Sequence, residues 1–297
     1  MSSVNPLSSS AAPVRGILYM LVGSALLTVN DSVLKWLAGS YPVGQLMCLR
    51  GLFVYLPIAF LVWRSGGFRT LRVNRFKAQG VRAGLVVTGT FLFVSGLFYL
   101  PIADAIAISF AGPLFVTALA PWLLGERVGW RRWTAVVIGF AGVLIITRPT
   151  GASVQWAALF PLCASFTSAL RDILTRRLAF QDSSVATLAI TTTTVVLASL
   201  STSVFTDWQP VRLNDIALFM VGGILVGSAH YALIETFRYA EAALVTPFKY
   251  SSIIWAIGLG YLVWGELPDD WTMVGVAVLV GSGLYILKRE TALRRSS

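Results

Sequence analysis

Charge is scarce in this chain. Only 12% of its 297 residues are Asp, Glu, Lys or Arg, against about a quarter in an average soluble domain. His230 is the single histidine, which removes any histidine-based metal cluster. The two cysteines, Cys48 and Cys163, both fall in apolar segments, with neither metal-type spacing nor a disulfide framework. No GxxxxGK[ST] loop occurs, so ATP hydrolysis by that route is excluded. No cofactor and no metal are expected. The first 14 residues carry no basic n-region or cleavage site. They are expected to be a disordered tail, not a signal peptide, and the first apolar segment is expected to stay as a helix.

Apolar residues are what the chain has in quantity. They make up 56% of it and cluster into runs of roughly 20, the length that crosses a ~30 Å hydrocarbon core. The expected fold is all-α and integral to a membrane. Ten spans are read at about 15–37, 42–63, 78–100, 103–124, 132–147, 155–178, 184–206, 213–238, 241–264 and 271–288. Only short turns separate them, so no loop is long enough for a soluble domain.

The net charge of +10 reports topology and not a nucleic-acid partner. With the N-terminus inside and the sides alternating, the inner side receives Arg15, then Arg64, Arg69, Arg72, Arg75, Lys77 and Arg82. It also receives Arg127, Arg131, Arg132, Arg176, Arg177, Arg238, Lys288, Arg289, Arg294 and Arg295. The outer side receives Arg148 and Arg212, and its last loop carries Glu266, Asp269 and Asp270. This is the positive-inside bias. Both termini are expected in the cytoplasm, with the chain in a bacterial inner membrane.

An internal repeat is written into the chain. "LLTVNDSVLKWLA" (Leu26 to Ala38) parallels "FTSALRDILTRRLA" (Phe166 to Ala179), setting Asp31 over Asp172 and Lys35 over Arg176 at an offset of 141. "WLLGERVGW" (Trp122 to Trp130) parallels "YLVWGELPDDW" (Tyr261 to Trp271), with Glu126 over Glu266 at an offset of 140. "FAGVLII" (Phe140 to Ile146) parallels "GSGLYIL" (Gly281 to Leu287). Each half then holds five helices, over 15–150 and 151–288, followed by a basic tail, 289–297. Five is odd, so the second copy enters the membrane from the opposite side. Ten transmembrane helices as two inverted five-helix repeats are a construction of secondary transporters.

On these features the chain resembles the drug/metabolite transporter superfamily, specifically its ten-helix EamA-type members. The resemblance rests on the five-plus-five repeat, on the "GE" near the ends of segments four and nine (Glu126, Glu266), and on the Pro-containing segments that precede them (Pro113, Pro247). "PFKYSS" (Pro247 to Ser252) looks most like the YddG-type aromatic amino-acid exporters. The resemblance implies that segments three, four, eight and nine line a central cavity, that one, two, six and seven lie near the gates, and that five and ten are peripheral. It also implies outward transport of amino acids with aromatic or apolar side chains.

Ionisable residues inside a membrane are functional candidates by default. Lys249 is set among small and polar residues beside Pro247, which breaks the backbone ladder. It is expected to hold a substrate carboxylate, although a structural pair with Glu235 on the preceding segment is geometrically open. Tyr250, Trp255 and Phe91 are expected to enclose the side chain, Asn30 or Ser95 to add hydrogen bonds, and Tyr99 and His230 to contribute further contacts. Asp31 with Lys35, and Asp172 with Arg176, are spaced to share a helix face. They read either as neutralised pairs or as gates at the two mouths. Asp31, Asp172, Glu235 and His230 remain open as groups that couple transport to protons. Arg50 and Arg171 are weaker candidates, and the GxxxG spacings Gly80–Gly84 and Gly223–Gly227 are packing signals. The expected partners are a small-molecule substrate and the lipid bilayer, with the protein a monomer. A nucleotide-derived or cationic cargo is an alternative. An enzyme or a passive channel fits less well, because no nucleophile–base pair is evident and an inverted repeat favours alternating access.

Overall fold

The computed structural model describes residues 12–124, 129–147, 155–178, 182–239 and 245–295. Every regular element among them is helical. The helices are α1 (Ala12–Ala38), α2 (Val43–Phe53), α3 (Tyr55–Arg64), α4 (Phe76–Leu97), α5 (Ile102–Ser109), α6 (Gly112–Leu124), α7 (Trp130–Thr147), α8 (Leu159–Leu178), α9 (Ser184–Ser201), α10 (Leu213–Tyr239), α11 (Ser252–Trp264) and α12 (Asp270–Arg295). Seven helical spans are long and apolar enough to cross a membrane: Val14–Ala38, Val43–Arg64, Phe76–Leu97, Ile102–Leu119, Trp156–Thr175, Ser184–Val204 and Leu213–Thr236. Trp133–Thr147 and Asp270–Tyr285 are shorter apolar helices. Helix α12 runs on to Arg295, so the expected basic tail is largely helical.

Three of the expected spans are interrupted, and proline chemistry accounts for each break. In 43–64 the chain kinks at Val54, whose N–H reaches back only three residues to the Gly51 carbonyl. Pro57 just beyond supplies no N–H for the Phe53 carbonyl. Between α5 and α6, Pro113 occupies the first turn after Phe110. Between α10 and α11, Pro247 opens a 3₁₀ turn over Thr246–Ser251. The interruptions at Phe110 and Tyr250 stand 140 positions apart, and the two rings meet edge-to-face with centroids 4.9 Å apart.

The largest helix contacts are kept when each element is exchanged for its counterpart 140–141 residues away. Helix α1 packs on α10 as α8 packs on α4, and α2 packs on α10 as α9 packs on α4. The pairs α2–α9 and α7–α12 each join one element to its own counterpart. The loops obey the same exchange. At one end the Tyr41 hydroxyl donates to Asp215 Oδ2 (2.6 Å). At the other the Asn74 N–H donates to Asp182 Oδ1 (2.7 Å). Positions 41 and 182, and positions 74 and 215, are each 141 apart.

Of the two GxxxG spacings, only the second packs. A Cβ on Gly223 would lie 2.5 Å from the Phe53 Cβ and 2.6 Å from the Arg50 carbonyl oxygen, and one on Gly227 would meet Pro57. Those glycines let α10 approach the kinked α2–α3 closely. Around Gly80 and Gly84 there is open space, so these two serve no helix contact.

Candidate functional site

A narrow, half-open cleft lies between α2, α4, α9 and α10. Its lining residues fall into five pairs related by the repeat. Arg50 pairs with Thr191, Gly51 with Thr192 and Val54 with Val195 at an offset of 141; Val86 pairs with Val226 and Thr90 with His230 at 140. Each wall residue therefore faces a space that its counterpart also lines. The cleft sits where the two halves of the chain meet.

Arg50 dominates its chemistry. The residue is 6% exposed, on α2 where α10 comes closest. Its Nη1 donates to Asn30 Oδ1 (3.3 Å) and its Nη2 reaches Met47 Sδ (3.4 Å), while Nε has no partner. Asn30 in turn donates to Asp31 Oδ1 (3.0 Å), and Asp31 faces the guanidinium electrostatically. The cation is thus held by one amide and one carboxylate and keeps a donor in reserve. A buried donor left unpaired costs about 1–3 kcal/mol, which a ligand acceptor would recover.

Thr191, opposite Arg50, is already committed. Its hydroxyl donates to the Thr187 carbonyl (2.7 Å) and accepts from Arg82 Nη1 (2.9 Å), whose Nε also donates to Thr175 (2.8 Å). Thr90, Thr192 and His230 are the other polar side chains of the wall. Arg171, Arg50 and Arg82 all lie within electrostatic reach of His230. The cleft is therefore a positive, partly apolar chamber suited to a ligand with an electron-rich end.

The expected site residues scatter. His230 lines the cleft, and Asn30 and Asp31 stand behind Arg50. Lys249 is outside the cleft wall, on the 3₁₀ turn, with Asp172 and Arg171 as charged neighbours. Tyr250 is buried against Phe110 with its hydroxyl unpartnered. Phe91 packs against the main core, and Ser95 is half-buried on α4. Tyr99 is 54% exposed and packs on Trp156 and Phe160 at the end of α4, and Trp255 is 48% exposed. Neither Tyr99 nor Trp255 lines the cleft. The cleft also draws on segments two, three, seven and eight, not on three, four, eight and nine.

Lys35 is not paired with Asp31, the partner its spacing suggested. Lys35 Nζ meets Glu266 Oε2 at 2.5 Å, with the ammonium 4.8 Å from the Trp264 ring centroid. The local backbone explains the reach. Gly265 adopts a left-handed conformation (φ 68°) that ends α11, and the Glu266 N–H bonds back to the Gly260 carbonyl (3.1 Å). This turn aims the Glu266 carboxylate across at α1, so the residue makes a backbone contact and an ion pair together. Asp172 pairs with Arg171 beside it (2.8 Å). Glu235 lies near Tyr19 across the α1–α10 contact. Glu126 and the side chain of Arg176 lie outside the described residues.

Arg82, Thr90, Thr191 and Thr192 were not legible as site residues one at a time. Adding the repeat offset to Arg50 and subtracting it from His230 points to Thr191 and Thr90, and that signal is in the sequence.

Known proteins agree with this architecture. The EamA-like transporter family model matches residues 14–148 and again 155–288. A riboflavin transporter of Vibrio cholerae is 28% identical over 95% of this chain and 96% of its own length. An S-adenosylmethionine uptake transporter of Rickettsia prowazekii is 25% identical over 93% and 94%. A pseudopaline exporter of Pseudomonas aeruginosa is 24% identical over 89% and 93%. A solved crystal structure with 20% identity superposes with a TM-score of 0.66 over 98% of this chain and 100% of that one. A helical membrane chain matched twice by one family model, once in each half, belongs to the EamA-like transporter family.

Proposed function

We propose that this protein is a secondary transporter of small organic metabolites working by alternating access, with its substrate held between the two halves at the Arg50 cleft. The paired lining carries this reading: residues 140–141 positions apart meet across one space. Two similar halves inserted in opposite senses exchange conformations, so a site on their shared axis opens to each side in turn. In this reading the chain crosses the membrane ten times as two inverted five-helix repeats, with both termini cytoplasmic. Arg50 binds the electron-rich end of the substrate, a carboxylate or a comparable acceptor. Val54, Val195, Val86 and Val226 hold its apolar body, and His230, Thr90 and Thr192 fix its orientation. The Lys35–Glu266 pair under Trp264 closes one mouth, joining α1 to the end of α11.

The relatives are named for riboflavin, S-adenosylmethionine and pseudopaline, and for both uptake and export. That range supports a metabolite carrier and leaves export of aromatic amino acids as the narrower form of the proposal. The test is counterflow into proteoliposomes preloaded with unlabelled riboflavin, S-adenosylmethionine or aromatic amino acids. Saturable counterflow that falls about tenfold or more in Arg50→Gln, a loss of ~1.4 kcal/mol, and less in Lys249→Gln is the expected result. Full counterflow in a folded Arg50→Gln protein would move the site elsewhere. Non-saturating flux would replace the carrier by a channel.

A further inference from the structure

The loop between α3 and α4 has a property that transport does not use. From Arg64 to Lys77 it carries five cations, Arg64, Arg69, Arg72, Arg75 and Lys77, and no acidic residue. All five are exposed, and none is paired with a carboxylate among the described residues. Trp63 (78%), Phe68 (84%) and Phe76 (74%) are exposed among them. Charges of this kind are commonly left to a mobile, solvated segment, but this loop is pinned. The Gly67 N–H bonds the Val62 carbonyl (2.9 Å), the Thr70 hydroxyl bonds the Ser65 carbonyl (3.0 Å), and Ser183 donates to the Thr70 carbonyl (2.6 Å).

The neighbouring acid is also diverted. Asp182 accepts from the Asn74 backbone N–H (2.7 Å) and from the Gln79 side chain (2.9 Å), both uncharged donors. The one carboxylate seated in this loop's fastening thus fixes backbone and leaves the arginines uncompensated. The loop is an ordered platform that presents cations and aromatic rings at the end of membrane-spanning helices.

We infer that this loop is a docking surface for anionic phospholipid headgroups. The chemistry matches on both counts: juxtamembrane Lys and Arg attract the acidic lipid surface, and Trp and Phe side chains settle at the headgroup boundary. A topological signal alone would need the charges and not their fixed arrangement. Because Asp182 and Ser183 open α9, whose Thr191, Thr192 and Val195 line the cleft, lipid seated on the loop also braces one wall of the cleft.

The test compares the full-length protein reconstituted with phosphatidylglycerol or with phosphatidylcholine. Two variants carry the same change of three charges: Arg69→Gln/Arg72→Gln/Arg75→Gln in the loop, and Arg289→Gln/Arg294→Gln/Arg295→Gln at the other basic cluster. Wild type and the tail variant are expected to melt several degrees higher in phosphatidylglycerol and to retain that lipid through purification, counted by native mass spectrometry. The loop variant is expected to lose most of the shift and to retain at least threefold less lipid. Equal losses in the two variants would reduce the effect to overall charge and overturn the proposal. So would an undiminished shift in the loop variant, or the same stabilisation by inorganic phosphate in phosphatidylcholine.

Discussion

The two walls of the cleft have the same shape and opposite chemistry. Val54 and Val86 on one side are matched by Val195 and Val226 on the other, valine for valine. The polar positions differ: Arg50 faces Thr191, Gly51 faces Thr192, and Thr90 faces His230. The repeat therefore supplies a symmetric apolar container, while charge comes from one half only. An asymmetric substrate bound on a symmetric axis would otherwise have two equivalent orientations, and the one guanidinium in the lining, that of Arg50, selects one. The same divergence runs behind the walls. Asp31 is 7% exposed and serves Arg50 through Asn30, whereas its counterpart Asp172 has a side chain 40% exposed and pairs with the adjacent Arg171.

Moving the charge to the other wall breaks this comparison most severely. Arg50→Thr with Thr191→Arg keeps composition but sets a second guanidinium where Arg82 already donates at 2.9 Å. Like charges in a buried site are strongly unfavourable, so this double variant is expected to lose transport and much of its yield of folded protein, as checked by size-exclusion chromatography. If it transports normally, the two walls are interchangeable. The two aspartates come next. Asp31→Asn leaves Arg50 without its buried counter-charge, at a cost of about 3–5 kcal/mol. Asp172→Asn removes a half-exposed pair contributing at most about 1 kcal/mol. Thermal melts in one detergent should separate them, and equal shifts would deny the asymmetry.

The glycines give a smaller contrast. Gly223→Ala drives a methyl into Phe53 and the Arg50 carbonyl, costing about 1–3 kcal/mol. Gly84→Ala enters open space and is expected to stabilise by about 0.5–1 kcal/mol through helix propensity. Melting temperatures moving in opposite directions would confirm that only one GxxxG spacing packs. The mouth is expected to show the mildest effect. In a cysteine-free background with Thr192→Cys, Lys35→Gln should raise labelling by a membrane-impermeant maleimide a few-fold, since a partly exposed pair contributes about 0.2–1 kcal/mol. Lys35→Glu with Glu266→Lys should restore the slow rate. Unchanged labelling in Lys35→Gln would remove the pair from the closure.

Much of the architecture was legible before any coordinates. The described residues are helical through most of the expected spans, and seven of these spans are long and apolar enough to cross a membrane, because apolar runs of that length have few alternatives in a membrane. The offset that aligns Asp31 with Asp172 also relates the two loop fastenings, Tyr41 with Asp215 and Asn74 with Asp182. The site was far less legible. Lys249, the most conspicuous charge in the sequence, lies beside Asp172 and Arg171, while Arg50, ranked lower, lines the cleft. Lys35 looked paired with Asp31 by spacing, yet its carboxylate comes from Glu266, 231 residues away.

Composition and repeat are properties of the chain read in one dimension, and they determined the membrane class, the helical content and the kinship of the two halves. Which charges meet depends on how each helix is rotated and how closely its neighbour approaches. Those were decided in three dimensions, by the close seat of α10 on Gly223 and Gly227, the kink at Val54 and the left-handed turn at Gly265. A rotation of one residue, about 100° around a helix, moves a side chain from cleft to lipid while leaving the hydropathy of the segment unchanged.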